Sequence, residues 1–136
     1  AILKGKIKNE VTRIESYIGR DKKDRKKMSS NSNNGKLAIS IFTKISANDK
    51  YSLVKVNILT GRTHQIRVHS KEMGYNIVGD KIYAKKEKVK RQQLHSYMLE
   101  FIHPITKKNI SVKARIPNDM LENIKKYKLG ELDARI

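Results

Sequence analysis

One segment constrains this chain more than any other: Leu59-Thr-Gly-Arg-Thr-His-Gln-Ile-Arg-Val-His69. Residues 50–59, which lead into it, are rich in β-branched side chains and read as a strand. Thr60-Gly61 then permits a tight turn, and residues 63–73 read as a helix, with Thr63 placed to cap its start and Gly74 to stop it. Ile66 and Met73 fall on the buried stripe of that helix. The abrupt change from strand to helix gathers Arg62, His64, Gln65 and Arg67 at one junction.

The remaining segments fill in a fold class. Residues 1–8 read as a strand already in progress, without polar lead-in or helix cap, and so as a cut through a larger fold. Residues 20–36, charged and then rich in Ser and Asn, read as a loop, because such side chains compete for backbone hydrogen bonds. A loop of that length in a compact domain is often functional. Leu37, Ile39 and Ile41 alternate with polar or small neighbours as a strand does, and Asn48-Asp49 suits a hairpin into the strand at 50–59. Residues 81–91 are Lys-rich. Leu94 to Ile102 and Ile110 to Ala114 read as a second hairpin, turning through Lys107-Lys108-Asn109. Pro117 and Asp119 open a last helix, with Asp119 and Glu122 at capping-box spacing and Met120, Ile124 and Tyr127 on its apolar face. Strands, helix, strands, helix without regular alternation predicts an α+β fold, a mainly antiparallel sheet with flanking helices.

Charge points to the partner. Thirty-one Lys and Arg against thirteen Asp and Glu give +18. A polyanion fits this excess, because each neutralised phosphate releases condensed counterions; an AT-rich genome would also contribute Lys. The apolar share, 38%, is low but still permits a core in a single domain of 136 residues. No run of about 18 apolar residues exists to span a membrane, and no secretory signal pattern is present. The absence of Cys excludes disulfides and thiolate metal sites and fits a cytoplasmic protein.

At the 59–69 junction, free backbone N–H groups and the positive end of a helix attract anions, and adjacent guanidiniums strengthen the attraction. The residues therefore read as an anion site for a phosphate or a carboxylate, and equally as a solvated basic first turn. A metal site is disfavoured: among His64, His69, His95 and His103, the first two do not share a helical face as an i,i+4 pair would. Ser-His-Asp chemistry lacks its Gly-x-Ser-x-Gly elbow.

Resemblance separates these readings. The junction resembles the Gly-Arg-Thr-His-Gln-Ile-Arg-x-His motif of Rlu-type RNA pseudouridine synthases. Gly74-Tyr-Asn-Ile-Val-Gly-Asp-Lys-Ile-Tyr83 is similar to that family's Gly-x-Pro-Ile-x-Gly-Asp-x-x-Tyr, with Asn76 in place of Pro. Arg91-Gln-Gln-Leu-His-Ser-Tyr-Met-Leu-Glu-Phe-Ile-His-Pro104 resembles Arg-x-x-Leu-His-Ala-x-x-Leu-x-Phe-x-His-Pro. Arg115-Ile-Pro-Asn-Asp119 is less close to the family's Ala-Pro-x-Pro-x-Asp ending. Ile18-Gly-Arg-Asp21 with Arg25-Lys-Lys-Met28 looks like a loop that reaches RNA. The motifs run in order along nearly the whole chain.

The resemblance implies an enzyme that detaches uracil from ribose C1′, rotates it and rejoins it through C5, using an Asp nucleophile and no metal or organic cofactor. It implies that residues 1–136 are the C-terminal part of the catalytic domain, half of the pseudouridine synthase fold. It makes Arg67 the partner of that Asp, since a guanidinium favours the ionised form. Arg62, Thr63, His64 and Gln65 are then expected at RNA or the target nucleotide, with Arg20, Arg25 and Lys26 on the RNA backbone and Leu94 and His95 as pocket walls. The expected partner is RNA, ribosomal RNA before transfer RNA, with no membrane. The intact enzyme is expected to be a monomer, and the fragment able to self-associate through an exposed edge. The family's nucleophile lies in a His-Arg-Leu-Asp-x-x-Thr-Ser-Gly motif, and none of Asp21, Asp24, Asp49, Asp80, Asp119 and Asp133 has that context. The family's active-site Tyr is expected just ahead of Ala1. The chain alone is therefore expected to be inactive, with an unpaired edge or an apolar patch at the strand over 2–8 or its neighbour, where the rest would dock. Asp80 reads as a turn residue. A non-catalytic RNA- or ribosome-binding module fits the composition equally well.

Overall fold

The computed structural model describes residues 1–84 and 87–132. Five strands form one sheet: β1 (Ile2–Lys4), β2 (Val11–Arg20), β3 (Met28–Ser30), β4 (Lys36–Ala47) and β5 (Tyr51–Ile58). Their order is β1-β5-β4-β2-β3, and every neighbouring pair is antiparallel. Helix α1 (Gln65–Met73) lies on one face, and helix α2 (Asn118–Lys126) covers the β1–β5 end of the other. A separate hairpin pairs β6 (Met98–Ile102) with β7 (Asn109–Lys113). The fold is α+β and mainly antiparallel, as the element order predicts.

Strand alternation explains how both faces are filled. In β1, Ile2 packs with Leu53, Met120 and Ile124 beneath α2, while Leu3 packs with Phe42 and Val54 on the α1 side. In β2 the inward positions Ser16 and Ile18 are buried and the outward Val11 and Tyr17 are exposed, which is the period-two pattern of a half-buried strand. A bulge in β4 between Lys44 and Ser46 turns both Ile45 and Ser46 toward α2. There the Ser46 hydroxyl donates to the Leu129 carbonyl at 2.5 Å, and Tyr51 stacks on Tyr127 at 4.0 Å between centroids.

Several expectations need correction. The strand expected over 2–8 ends at Lys4, because Gly5 turns the chain at φ 104°. The loop expected over 20–36 contains β3, which pairs with the end of β2. The intervening turn is closed by Asp21, whose carboxylate accepts from the Lys23 and Asp24 N–H groups, and by Lys27 N–H on Asp24. Thr63 is not the cap of α1; His64 occupies that position at φ 55°, with no side-chain cap. Gly74 does end the helix, at φ 86°, with Tyr75 N–H on the Ser70 carbonyl in a Schellman arrangement. The strand expected from Leu94 begins at Met98. Asp119 caps nothing with its side chain, because Arg91 takes its carboxylate at 2.7 Å. Asp133 and part of the Lys-rich 81–91 segment fall outside the described residues.

Candidate functional site

The junction residues separate into two groups. Gln65 is buried, and its amide is used within the fold. Its Oε1 accepts from the Thr60 hydroxyl at 2.7 Å and from Arg62 N–H at 3.0 Å, and its Nε2 donates to the Ile39 carbonyl and Ser40 hydroxyl. Gln65 therefore ties the first turn of α1 to β4 and has no amide group left to offer a ligand. Arg62 donates from Nε to the Leu37 carbonyl at 2.7 Å, while Thr63 is exposed.

Arg67 and Asp80 form the centre of the second group. Asp80 is 1% exposed, and its carboxylate takes Arg67 Nε at 2.9 Å and Nη2 at 2.7 Å. The Arg67 side chain is 11% exposed. Burial pushes the Asp80 carboxyl upward, and the Arg67 hydrogen bonds and charge outweigh it, holding the group below the ordinary carboxylate range. The same bonds raise Arg67 above its ordinary value. Thus the in-chain partner of Arg67 is Asp80, a residue read from sequence as a turn former alone. It does make the turn, at 3.2 and 3.3 Å from the Ile82 and Tyr83 N–H groups. Among the described residues, Arg67 Nη1 makes no hydrogen bond.

Tyr83 joins this pair to the basic loop. Its ring centroid lies 5.2 Å from Arg67 Cζ, a cation–π distance. Its hydroxyl accepts from Met28 N–H at 2.8 Å and meets His64 Nδ1 at 2.8 Å. The Tyr83 hydroxyl, which accepts from Met28, can give its own proton to His64 Nδ1 when the ring carries its hydrogen on Nε2, or accept a second bond from Nδ1–H. Burial, then the charge of Arg67, lowers the His64 pKa, consistent with a neutral ring. Burial raises that of Tyr83. The 21–27 turn is thereby moored beside α1, and Lys26, Lys27, Lys71 and Lys81 surround an open hollow next to Tyr83. Arg20 closes the turn by donating to the Arg25 carbonyl at 2.7 Å; both residues are exposed.

Leu94 and His95 lie outside this hydrogen-bonded cluster. Leu94 packs against the core around Leu3, Phe42 and Ile77, together with Ile66. His95 lies 3.3 Å from the Ala114 carbonyl at the root of the second hairpin. His69 is a core residue: fully buried, it bridges the Ser16 and Ser40 hydroxyls at 2.9 and 2.8 Å. His103 Nδ1 accepts from the Ile105 and Thr106 N–H groups in the β6–β7 turn. No group of three or more His, Asp or Glu among the described residues could hold a metal ion, and no described helix is long and apolar enough to cross a membrane. Sequence reasoning missed Asp80, although a lone Asp after Gly79 and a lone Arg on the preceding helix were the available signal.

A strand–turn–helix junction on an antiparallel sheet, carrying a buried Arg–Asp pair beneath a Tyr and beside a Lys-rich turn, defines a basic α+β protein built around an oriented guanidinium. The sequence profile of the RNA pseudouridylate synthase family matches residues 1–72, and the chain belongs to that family. It is 37% identical over 131 residues to the RNA pseudouridine synthase YlyB of Bacillus subtilis, covering 93% of this chain and 43% of that protein. To ribosomal large subunit pseudouridine synthase D of Neisseria meningitidis it is 37% identical over 121 residues, covering 79% and 32%. Human RNA pseudouridylate synthase domain containing 1 superposes with a TM-score of 0.73 at 28% identity, over 85% of this chain and 52% of that one. The chain thus spans less than half the length of these bacterial relatives.

Proposed function

We propose that the protein isomerises uridine to pseudouridine in structured RNA, large-subunit ribosomal RNA before transfer RNA. In this reading residues 1–136 supply the C-terminal part of the catalytic domain. The observation that carries the proposal is the Arg67 guanidinium, fixed on its Nε–Nη2 edge and open at Nη1. The open edge would take the carboxylate of the nucleophilic Asp, which attacks only when ionised. The carboxylate bonds to C1′ as the N1–C1′ bond breaks, the base turns, C5 bonds to C1′ as the bond to the Asp breaks, C5 loses its hydrogen to solvent, and N1, which carries no hydrogen in uridine, gains a proton. The target base is flipped from its stack to reach the site. Arg62 and His64 face the nucleotide or its phosphate, Leu94 and His95 line the pocket wall, and Arg20, Arg25 and Lys26 grip backbone with little sequence preference. No cofactor takes part, and the setting is cytoplasmic. The relatives named for large-subunit ribosomal RNA support the choice of substrate.

The β6–β7 hairpin supports the reading of residues 1–136 as part of a larger catalytic domain. Leu99 opposes Val112 and Phe101 opposes Ile110, so these four side chains share one face. Leu99, Phe101 and Val112 are 58%, 43% and 50% exposed. A two-stranded hairpin with a bare apolar face is marginal in water. Its occupant in this reading is the part of the fold that the longer relatives possess and this chain does not span.

Release of tritium from [5-³H]uridine-labelled ribosomal RNA tests the function. The product of the full open reading frame should release tritium, and residues 1–136 alone should not. Salt-sensitive RNA binding without tritium release from the full product would instead make it a binding module.

A further inference from the structure

The geometry points to Asp80 as a positioning residue for the reaction: it aims Arg67 at the nucleophile by occupying the opposite edge of the guanidinium. This rests on the function proposed above. Arg67 ends a long, flexible side chain, and a guanidinium can rotate any of its edges toward a carboxylate. Here three constraints remove that freedom. The Asp80 carboxylate takes Nε and Nη2 together. The Tyr83 ring covers a face at 5.2 Å. The carboxylate is itself fixed by the turn N–H groups of Ile82 and Tyr83.

The turn that carries Asp80 is equally constrained. Gly79 has φ 81°, and a Cβ there would lie 2.1 Å from the Arg91 carbonyl oxygen, so only glycine fits. Gly79 N–H donates to Glu87 Oε2 at 2.9 Å, and Glu87 also pairs with Lys4 on β1. Asp80 is therefore anchored from the sheet and the 87–91 segment rather than from α1, which carries Arg67. Two independently anchored groups meeting edge-on leave Nη1 as the donor able to receive a second carboxylate. Asp80 touches no substrate in this arrangement; it acts through Arg67.

The test is Asp80→Asn in the full protein, assayed by steady-state tritium release across a range of RNA concentrations and normalised to folded protein. Loss of alignment at the nucleophile should lower kcat about 10²-fold, with KM for RNA unchanged, since Arg67 meets no RNA phosphate in this reading. Asp80→Ser keeps an acceptor for the turn and carries the same expectation should the Asn variant not fold. Wild-type kcat and KM in the folded fraction of either variant would overturn the inference, because a residue serving only the turn changes how much protein folds and not how the folded part turns over. No turnover from the wild-type protein would overturn the proposed function and this inference with it. Turnover that survives in the wild type and not in the variants separates the two.

Discussion

His69 shows how a residue that resembles a ligand can be part of the core. It is fully buried between Ser16 of β2 and Ser40 of β4. Burial lowers its pKa from the ordinary 6.5, and burial followed by the Arg67 charge does the same to His64. With both folded-state values depressed, the unfolded chain takes up protons first as pH falls. Stability is therefore complete above about pH 6.5 and declines below it. Thermal melts at descending pH should show Tm falling below that point, with a shallower fall in His69→Gln. His69→Ala should cost about 1–3 kcal/mol, because it strands the buried Ser16 hydroxyl and leaves Ser40 with Gln65 alone. Gly79→Ala should cost about 3 kcal/mol by denaturant titration, since both the φ of 81° and the Arg91 carbonyl oppose a side chain. At this scale the sequence exposed the identities but not the pairings. Arg67 could be singled out by its motif, yet its bond to Asp80 depends on a turn thirteen residues away that packs against β1 through Glu87. Gln65 looked like a ligand-facing residue because nothing local shows that Ile39 and Ser40 of β4 consume its amide.

Elements with a strong period were legible. The alternation in β4, the β-branched run of β5 and the Gly74 stop of α1 all lie where local pattern places them. The misread elements are those set by long-range contacts. β3 is three residues of a charged, Ser/Asn-rich segment and exists because the end of β2 offers it a pairing edge and Tyr83 holds Met28 N–H. Asp119 looked like a cap because Arg91 and Gln93, distant in sequence, are its actual partners. The moored 21–27 turn carries its own prediction. Replacing Arg25 and Lys26 by Ala should weaken binding to all structured RNAs alike, and lower the salt dependence of binding by about one charge per residue removed. Filter binding across a salt series measures it, and an unchanged slope would place that turn away from RNA.

The whole molecule joins a well-packed sheet, covered on both faces at its β1–β5 end, to a hairpin that presents an apolar face to solvent. That contrast could not be read from the sequence, where Leu99, Phe101, Ile110 and Val112 look like ordinary core positions of a strand pair. If the rest of the catalytic domain docks there, Leu99→Glu with Phe101→Glu should leave the melting of residues 1–136 nearly unchanged and abolish turnover of the full protein. A large fall in Tm for the 136-residue chain would show that the face is already covered. The central claim is that Arg67 serves chemistry through its open edge and does not serve only its bond to Asp80. The most direct test is tritium release by full-length Arg67→Met, measured beside RNA affinity and Tm. The expected result is a loss of about 10³-fold in kcat, with the variant still folded and RNA affinity within about threefold of wild type. Turnover near the wild-type rate in a folded Arg67→Met protein would contradict it.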